Sequence, residues 1–345
     1  MSDRGDARSA GLPRGELERG APVIGAIIVT YGSADVIRSC LDSLFDSQDA
    51  EIRIVVVDNL SPDATLAEIR AWATDRGVAL QEVHSGAACP EPASTRAPVT
   101  LLRSSANLGY AGGVNLGIET LSADPDVGLF WIVNPDCTVT PDAASAFLRK
   151  ASAVGDFALM GGRVLYTEPP NRIQSDGGRV SRWTGVCHSV NQGRLPGETP
   201  PAEAVSLDFI SGASLIASRK FIKQAGLLRG DYFLYYEEVD WALRRGDLPL
   251  VICDDALVYH EGGTAIGSGS ITRRASAFAN YFNYRSRIRF LWRFNRAALP
   301  GACAYAVAKA VQLMLQKEFD AAWGLLAGTC HLPQPAAVRR RLSGE

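Results

Sequence analysis

The chain has 345 residues, 47% of them hydrophobic and 21% charged, with a formal net charge of −2. That suits a globular protein of one large domain or two, and gives no overall argument for a nucleic-acid partner. Seven cysteines, odd in number and without a CxxC pair, fit reduced thiols in a cytoplasmic protein.

Residues 1–21 alternate charges around no apolar core, which predicts a disordered tail and no signal peptide. "VIGAIIVTY" (23–31) is a continuous β-branched apolar run, as buried parallel strands are. The helical spacing of Val36, Ile37, Cys40, Leu41 and Leu44 follows, with Ser33 as N-cap. "IRIVVVDN" (52–59) is a second strand, and "SPDATLAEIRAWATDRG" a helix with Pro62 near its first turn and Gly77 at its end. "HSGAACPEPASTRAP" (84–98) reads as a surface loop. "VTLLRS" (99–104), a helix from about Ala111 and "VGLFWIVN" (127–134) complete the alternation. The fold class is therefore α/β, a mostly parallel sheet flanked by helices. Shorter strands are expected at 157–166, 205–217 and 249–259, a helix at 234–246, and helices from about 272 onward.

Ligands of an open α/β sheet bind beyond the carboxyl ends of its strands. The strands here end on Thr30-Tyr31, on Asp58-Asn59, in "SSANLGYAGGVNLG" and on Asn134-Pro135-Asp136. Each end taken singly is a turn; four polar ends on one sheet edge suggest a site for a metal or a phosphate. "NLGYAGGVNLG" (107–117) is glycine-rich and opens a helix, but it does not match GxGxxG and follows the third strand in this reading. "DYFLYYEEVDWALRR" (231–245) sets Glu237, Glu238 and Asp240 behind a crowd of aromatics. Acids against aromatics suit a tuned base, whereas pairing with Arg244 and Arg245 is the plain alternative. His260 ends another strand, where it is a structural histidine or, with a strand-end aspartate, a metal ligand.

The segments "IIVTYGS", "VVVDNLS", "NLGYAGGVNLG", "WIVNPDCTV", "FISGASLIASR", "YFLYYEEVDWALR" and "VYHEGG" stand in the order found in family 2 glycosyltransferases of the GT-A fold. Over residues 23–296 the chain resembles the subgroup with rhamnosyltransferases and galactofuranosyltransferases of bacterial polysaccharide assembly. The resemblance implies an inverting hexosyltransferase that moves a sugar from a nucleotide-diphospho-sugar, deoxythymidine-diphosphate rhamnose or a uridine-diphosphate sugar. The acceptor it implies is a hydroxyl of a glycan, lipid-linked or small-molecule compound. It assigns Thr30, Tyr31 and Asp58 to the nucleoside, and Asn107, Gly112, Gly113 and Asn115 to the nucleotide and donor sugar. Asn134-Pro135-Asp136 falls at the family's DxD motif. A neutral amide stands at its first position, so Asp136 is expected as the main ligand of Mg²⁺ or Mn²⁺, with Asn134 orienting and His260 completing the metal site. Glu238 falls at the general base, where the subgroup usually has Asp; Asp240 is the reserve candidate and Glu237 a neighbour in the catalytic group. Gly212 and Ala213 are expected to line the donor and acceptor pocket, and "NQGR" (191–194) to lie close to the acceptor.

A non-catalytic sugar-nucleotide-binding protein of the same fold is the alternative, because both departures fall on catalytic motifs. A nucleotidyltransferase would need an N-terminal glycine- and lysine-rich phosphate loop that this sequence lacks. The run 272–296 holds seven arginines, seven aromatics and no acid. With no nucleic-acid motif beside it, it is read as a basic helix on anionic lipid or as an intramolecular or oligomer-forming helix. The expected organisation is a transferase domain over 22–271 and a basic helical extension over 272–345, in a cytoplasmic protein with peripheral contact at the inner membrane face.

Overall fold

The computed structural model describes residues 23–85, 97–262, 267, 269 and 271–343. The expected N-terminal tail lies outside these residues, as does most of the loop 84–98. The first half alternates as expected: β1 (Val23–Thr30), α1 (Ile37–Phe45), β2 (Ile52–Asp58), α2 (Thr65–Asp75), then β3 (Leu80–His84), β4 (Val99–Arg103), α3 (Gly109–Ser122) and β5 (Val127–Val133). β1 and β5 are apolar and buried almost throughout because helices cover both faces of the sheet. β3 was not visible in the sequence. It is a partly exposed edge strand without an apolar run.

β6 (Cys137–Val139), α4 (Ala143–Val154), β7 (Leu159–Tyr166), β8 (Arg172–Ser175), β9 (Gly178–Val180) and β10 (Cys187–Ser189) follow, then β11 (Ser214–Ser218), α5 (Arg219–Ala225), α6 (Glu237–Leu243) and β12 (Leu250–His260). The main sheet has the order β3-β4-β2-β1-β5-β11-β7-β12-β6, with β8 beside β7. The first five strands of that order are mutually parallel, β11 is antiparallel to both neighbours, and β7 and β12 are parallel. The register pairs Thr30 with Asp58 and Asp58 with Arg103, so these strand ends reach one edge together.

Three expected elements differ. The strand expected at 205–217 is confined to Ser214–Ser218, because residues 204–206 form a 3-10 turn and Phe209 bridges to Gly178. The helix expected at 234–246 begins only at Glu237, because Phe233, Tyr235 and Tyr236 have φ of 66–69°, which no right-handed helix accepts. Ser33 does not cap α1 with its side chain; its carbonyl accepts from Ile37 N, and Val36 holds the cap position.

The helices α7 (Ala277–Phe294), α8 (Leu299–Leu315), α9 (Phe319–Thr329) and α10 (Ala336–Ser343) close the chain. α7 is no free basic helix for a lipid surface. Arg287 is buried, donating to Tyr236 Oη and Asn283 Oδ1 and lying over the Tyr284 ring. Arg289 and Arg293 pair with Asp231, and Arg274 with Glu318. Phe290 and Leu291 join the core cluster that contains Ile27 and Trp241.

Candidate active site

The parallel strand ends frame a cavity lined by Tyr31, Asn59, Asn107, Gly109 and Tyr110 on one side and Asn134, Asp136, Gln174 and His260 on the other. Phe233, Leu234, Phe278 and Leu342 roof it. Thr30 and Asp58, expected as ligands, are buried beneath the rim. Thr30 Oγ1 donates to Asp58 Oδ1 at 3.2 Å, and Asp58 Oδ2 accepts from Ser61 N at 3.3 Å. They hold the strand ends together, while Asn59, the other polar residue at the end of β2, faces the cavity. Asn59 Nδ2 donates to Gly109 O (2.7 Å) and its Oδ1 accepts from Leu108 N (3.2 Å). Tyr31 lines the cavity and donates to Leu342 O of α10 at 2.7 Å.

The glycine-rich segment serves packing more than ligand approach. A Cβ on Gly113 would stand 2.6 Å from Val29 Cγ1, and one on Gly112 2.5 Å from Leu108 Cβ, so both glycines are taken up by protein contacts. Asn115 is turned away from the cavity and exchanges hydrogen bonds with the backbone of Leu228 (2.8 and 3.0 Å). Expected near the nucleotide, these three residues instead pack α3 against its neighbours and do not line the cavity. Gly109 is needed at the rim itself: its φ is +72°, and a Cβ there would lie 2.3 Å from Phe233 O. Asn107 caps this turn through Oδ1 to Gly109 N (3.0 Å) and lines the cavity.

Asn134-Pro135-Asp136 turns the chain from β5 into β6. Asn134 N donates to Ala213 O (2.9 Å), Cys137 N to Asn134 O (3.1 Å) and Glu261 N to Asp136 O (3.2 Å), which brings the end of β12 to the same corner. Asp136 Oδ1 lies 3.1 Å from His260 Nε2, and Asn134 Nδ2 lies 3.3 Å from that nitrogen. His260 Nδ1 sits 2.6 Å from Gln174 Oε1. With Gln174 Oε1 accepting, Nδ1 donates to it, and Nε2 is the ring nitrogen turned toward the Asp136 carboxylate. A carboxylate oxygen and an imidazole nitrogen this close together form a donor set that fits a divalent metal. Cys137 is close enough to join, but its buried thiol donates to Ala213 O (3.3 Å) and is occupied. Gln174 stands where the orienting partner of a metal-bound histidine would be; it sits on the short strand β8, which has no periodic signal.

A second pocket opens beside the first, lined by Ser175, Ser189, Ser211, Tyr235, Glu238 and Asn283 among others. Two groups join the pockets. Ala213 O accepts from the Asn134 corner, while an added Cβ on neighbouring Gly212 would lie 3.6 Å from Glu238 Cδ. Tyr110 Oη donates to Gly212 O at 2.8 Å, and its ring stands in the field of Glu237, Glu238 and Asp136.

Burial pushes the pKa of the Glu238 carboxyl up to about 7 and lifts that of Glu237 well above the carboxylate range, the negative neighbour Glu238 adding to it. Glu237 is the deeper of the two, and its Oε2 has no hydrogen-bond partner among the described residues. Glu237 therefore keeps its proton to higher pH, and Glu238 is the carboxylate that faces the pocket. Asp240, the reserve candidate, is fully buried. It accepts from Tyr232 Oη (3.0 Å) and Arg244 Nε (2.8 Å) and pairs with Arg229 (3.3 Å), so it anchors the loop and has no access to either pocket. The loop before α6 is held by α7: Ser286 Oγ donates to Leu234 O (2.8 Å), Phe282 stacks on Phe233 (4.8 Å between centroids) and Arg287 holds Tyr236. The "NQGR" segment lines neither pocket. Asn191 donates to Asp176 and Gln192 to Tyr166, closing a turn around the buried Arg163–Asp176 ion pair.

Residues 26–201 match the family model Glycosyl transferase family 2. A Haloferax volcanii relative, the "Low-salt glycan biosynthesis hexosyltransferase Agl10", is 23% identical over 265 residues, covering 76% of this chain and 73% of its own. The Mycobacterium tuberculosis (strain H37Rv) "N-acetylglucosaminyl-diphospho-decaprenol L-rhamnosyltransferase" is 27% identical over 248 residues, 65% of this chain and 70% of that protein. Among solved structures, GalNAc-T7 with UDP, GalNAc and Mn²⁺ superposes with a TM-score of 0.58 at 12% identity, over 92% of this chain and 59% of that one. The Pyrobaculum calidifontis mannosyltransferase PcManGT with GDP-Man and Mn²⁺ gives 0.50 at 14% identity, over 90% and 86%. With strand-end polar residues, a GT-A sheet and a match across residues 26–201, the chain belongs to glycosyl transferase family 2 and is a glycosyltransferase.

Proposed function

We propose that the protein transfers a sugar, with inversion at the anomeric carbon, from a nucleotide-diphospho-sugar held at the strand ends to an acceptor hydroxyl in the second pocket. The observation that carries this reading is the division of the site: an Asp136–His260 corner on one side of Tyr110 and Glu238 in a hydroxyl-lined pocket on the other. Tyr31, Asn59 and Asn107 line the nucleotide side. Asp136 and His260 would hold a divalent metal, oriented by Asn134 and Gln174. Such an ion supplies a positive charge against the departing diphosphate. Glu238 takes the proton of the acceptor hydroxyl as its oxygen forms the bond to the anomeric carbon, and the bond to the diphosphate oxygen breaks on the opposite face. A base raised to about 7 is poised for this work near neutral pH. Glu237 keeps the loop neutral beneath it, and Ser175, Ser189, Ser211 and Asn283 offer the hydrogen bonds that a polyhydroxyl acceptor needs.

Deoxythymidine-diphosphate rhamnose is the first donor to test and uridine-diphosphate sugars the second. The rhamnosyltransferase among the relatives supports the first, and a lipid-linked glycan as acceptor. Purified protein is to be screened against a panel of sugar nucleotides by thermal shift, then by donor hydrolysis and transfer. Stabilisation by one donor with hydrolysis or transfer supports the reading. Stabilisation without turnover on any acceptor would instead support a non-catalytic binding protein.

A further inference from the structure

The helix α8 carries its larger apolar side chains outward. Ala302, Ala306, Ala310 and Leu313 face the protein and are buried, whereas Val307, Val311 and Met314 are exposed and Leu315 is 81% exposed. Phe319 and Trp323, on the helix α9 that follows, are exposed as well. At the start of α8 Gly301 lies beside the backbone of Trp183, which is 72% exposed. A helix covering a protein core has the opposite arrangement, and an exposed apolar face of this kind marks an interaction surface.

The charges say what covers it. From Arg296 to Lys317 there is no Asp or Glu, and the cations are Arg296, Lys309 and Lys317. The first acids beyond are Glu318, already paired with Arg274, and Asp320. No acid lies between Arg296 and Lys317 to pair with a cation across a two-fold contact of this segment. A membrane-crossing role fits poorly, although the segment Arg296–Leu315 is long and apolar enough by length and composition, because the inner face of α8 packs on α9 and on Tyr284 of α7. Cations and tryptophans around an apolar helix face match the headgroup level of an anionic bilayer.

We infer that the outward face of α8, together with Phe319 and Trp323, seats the protein on an anionic lipid surface with α8 lying in the interface plane. The face is three side chains from the acceptor-side pocket: the Tyr305 ring lies 5.5 Å from the Arg287 guanidinium, which donates at 3.0 Å to Tyr236, a lining residue of that pocket. Seating there would bring the pocket close to the lipid. The inference stands on α8 and α9 alone and does not need the transferase reading.

The test is sedimentation of the full chain with vesicles of equal parts phosphatidylcholine and phosphatidylglycerol, and with phosphatidylcholine alone. Wild type should bind the anionic vesicles. Val311→Glu with Leu315→Glu should weaken that binding about tenfold or more, with an unchanged melting temperature because both side chains are exposed. Lys309→Glu with Lys317→Glu should weaken binding to the anionic vesicles and remove its salt dependence. Failure of wild type to bind, or equal binding by wild type and the Val311/Leu315 variant, would overturn the inference. So would a wild-type dimer that the same variant dissociates while vesicle binding is unaltered.

Discussion

The two halves of the site are built in different ways. The proposed donor side is made where parallel strands end: Asp136 after β5 and His260 at the end of β12 meet because the sheet brings them there. The proposed acceptor side is made by a loop with Phe233, Tyr235 and Tyr236 in left-handed conformation, held from outside by Ser286, Arg287 and Phe282 of α7. A strand-end site follows from the order of the strands. A loop site of this kind exists only once a distant helix has docked, and its strained backbone persists because that helix over-determines it.

The difference can be sharpened by substitution. Glu238→Gln should lower transfer by about 10²–10⁴, the usual loss of a general base, with donor affinity in calorimetry nearly unchanged. Loss of donor affinity in proportion would move Glu238 to the donor side. Gln174→Ala should weaken metal binding about 10–100-fold while His260 stays in place; Mn²⁺ titration reads this, and unaltered affinity would remove the orienting role. Asp240→Asn should cost about 3 kcal/mol, because Arg244 loses a buried anionic partner. Thermal melting checks that cost, and the transfer rate per folded molecule should survive. Ser286→Ala should cost about 1 kcal/mol by leaving Leu234 O short of a donor. A catalytic loss well beyond the melting shift would show α7 acting on the geometry of the loop.

Stability should also follow the raised carboxyls. A carboxyl whose folded pKa lies above its unfolded value favours the fold at low pH, and that contribution is lost as pH rises through the folded value. For Glu238 the loss spans the interval from the ordinary glutamate range to about 7. Glu238→Gln should therefore raise the melting temperature at pH 8 relative to wild type, with little gain at pH 4. Parallel melting curves at the two values would contradict the burial of this carboxyl.

The legibility of the sequence follows the same division. β1, β2 and β5 announced themselves because strands covered on both faces are apolar throughout, and polar residues closing such runs stand out. Asp136, Asn134 and His260 stood out as candidates for that reason, and the fold brings the three together at one corner. Thr30 and Asp58 carried the same signal but turn under the rim, since strand position does not say which way a polar side chain points. The glycines of α3 looked like ligand cradles, although Gly113 makes room for Val29, a contact between elements with no local trace. β3 and β8 lack the apolar run of a covered strand, so Gln174 stayed hidden. The arginines of α7 left a lipid-facing and an intramolecular helix both open because their partners, Asp231 and Tyr236, lie some 50–60 residues earlier in the chain.

The central claim, that Glu238 removes the acceptor proton, is most directly tested by the pH dependence of single-turnover transfer at saturating donor and acceptor. The rate in wild type should rise with pH to a plateau with a midpoint near 7. Asp240→Asn should keep that midpoint, and Glu238→Gln should flatten the profile to a low rate. A Glu238→Gln enzyme that retains the same midpoint and plateau would contradict the assignment.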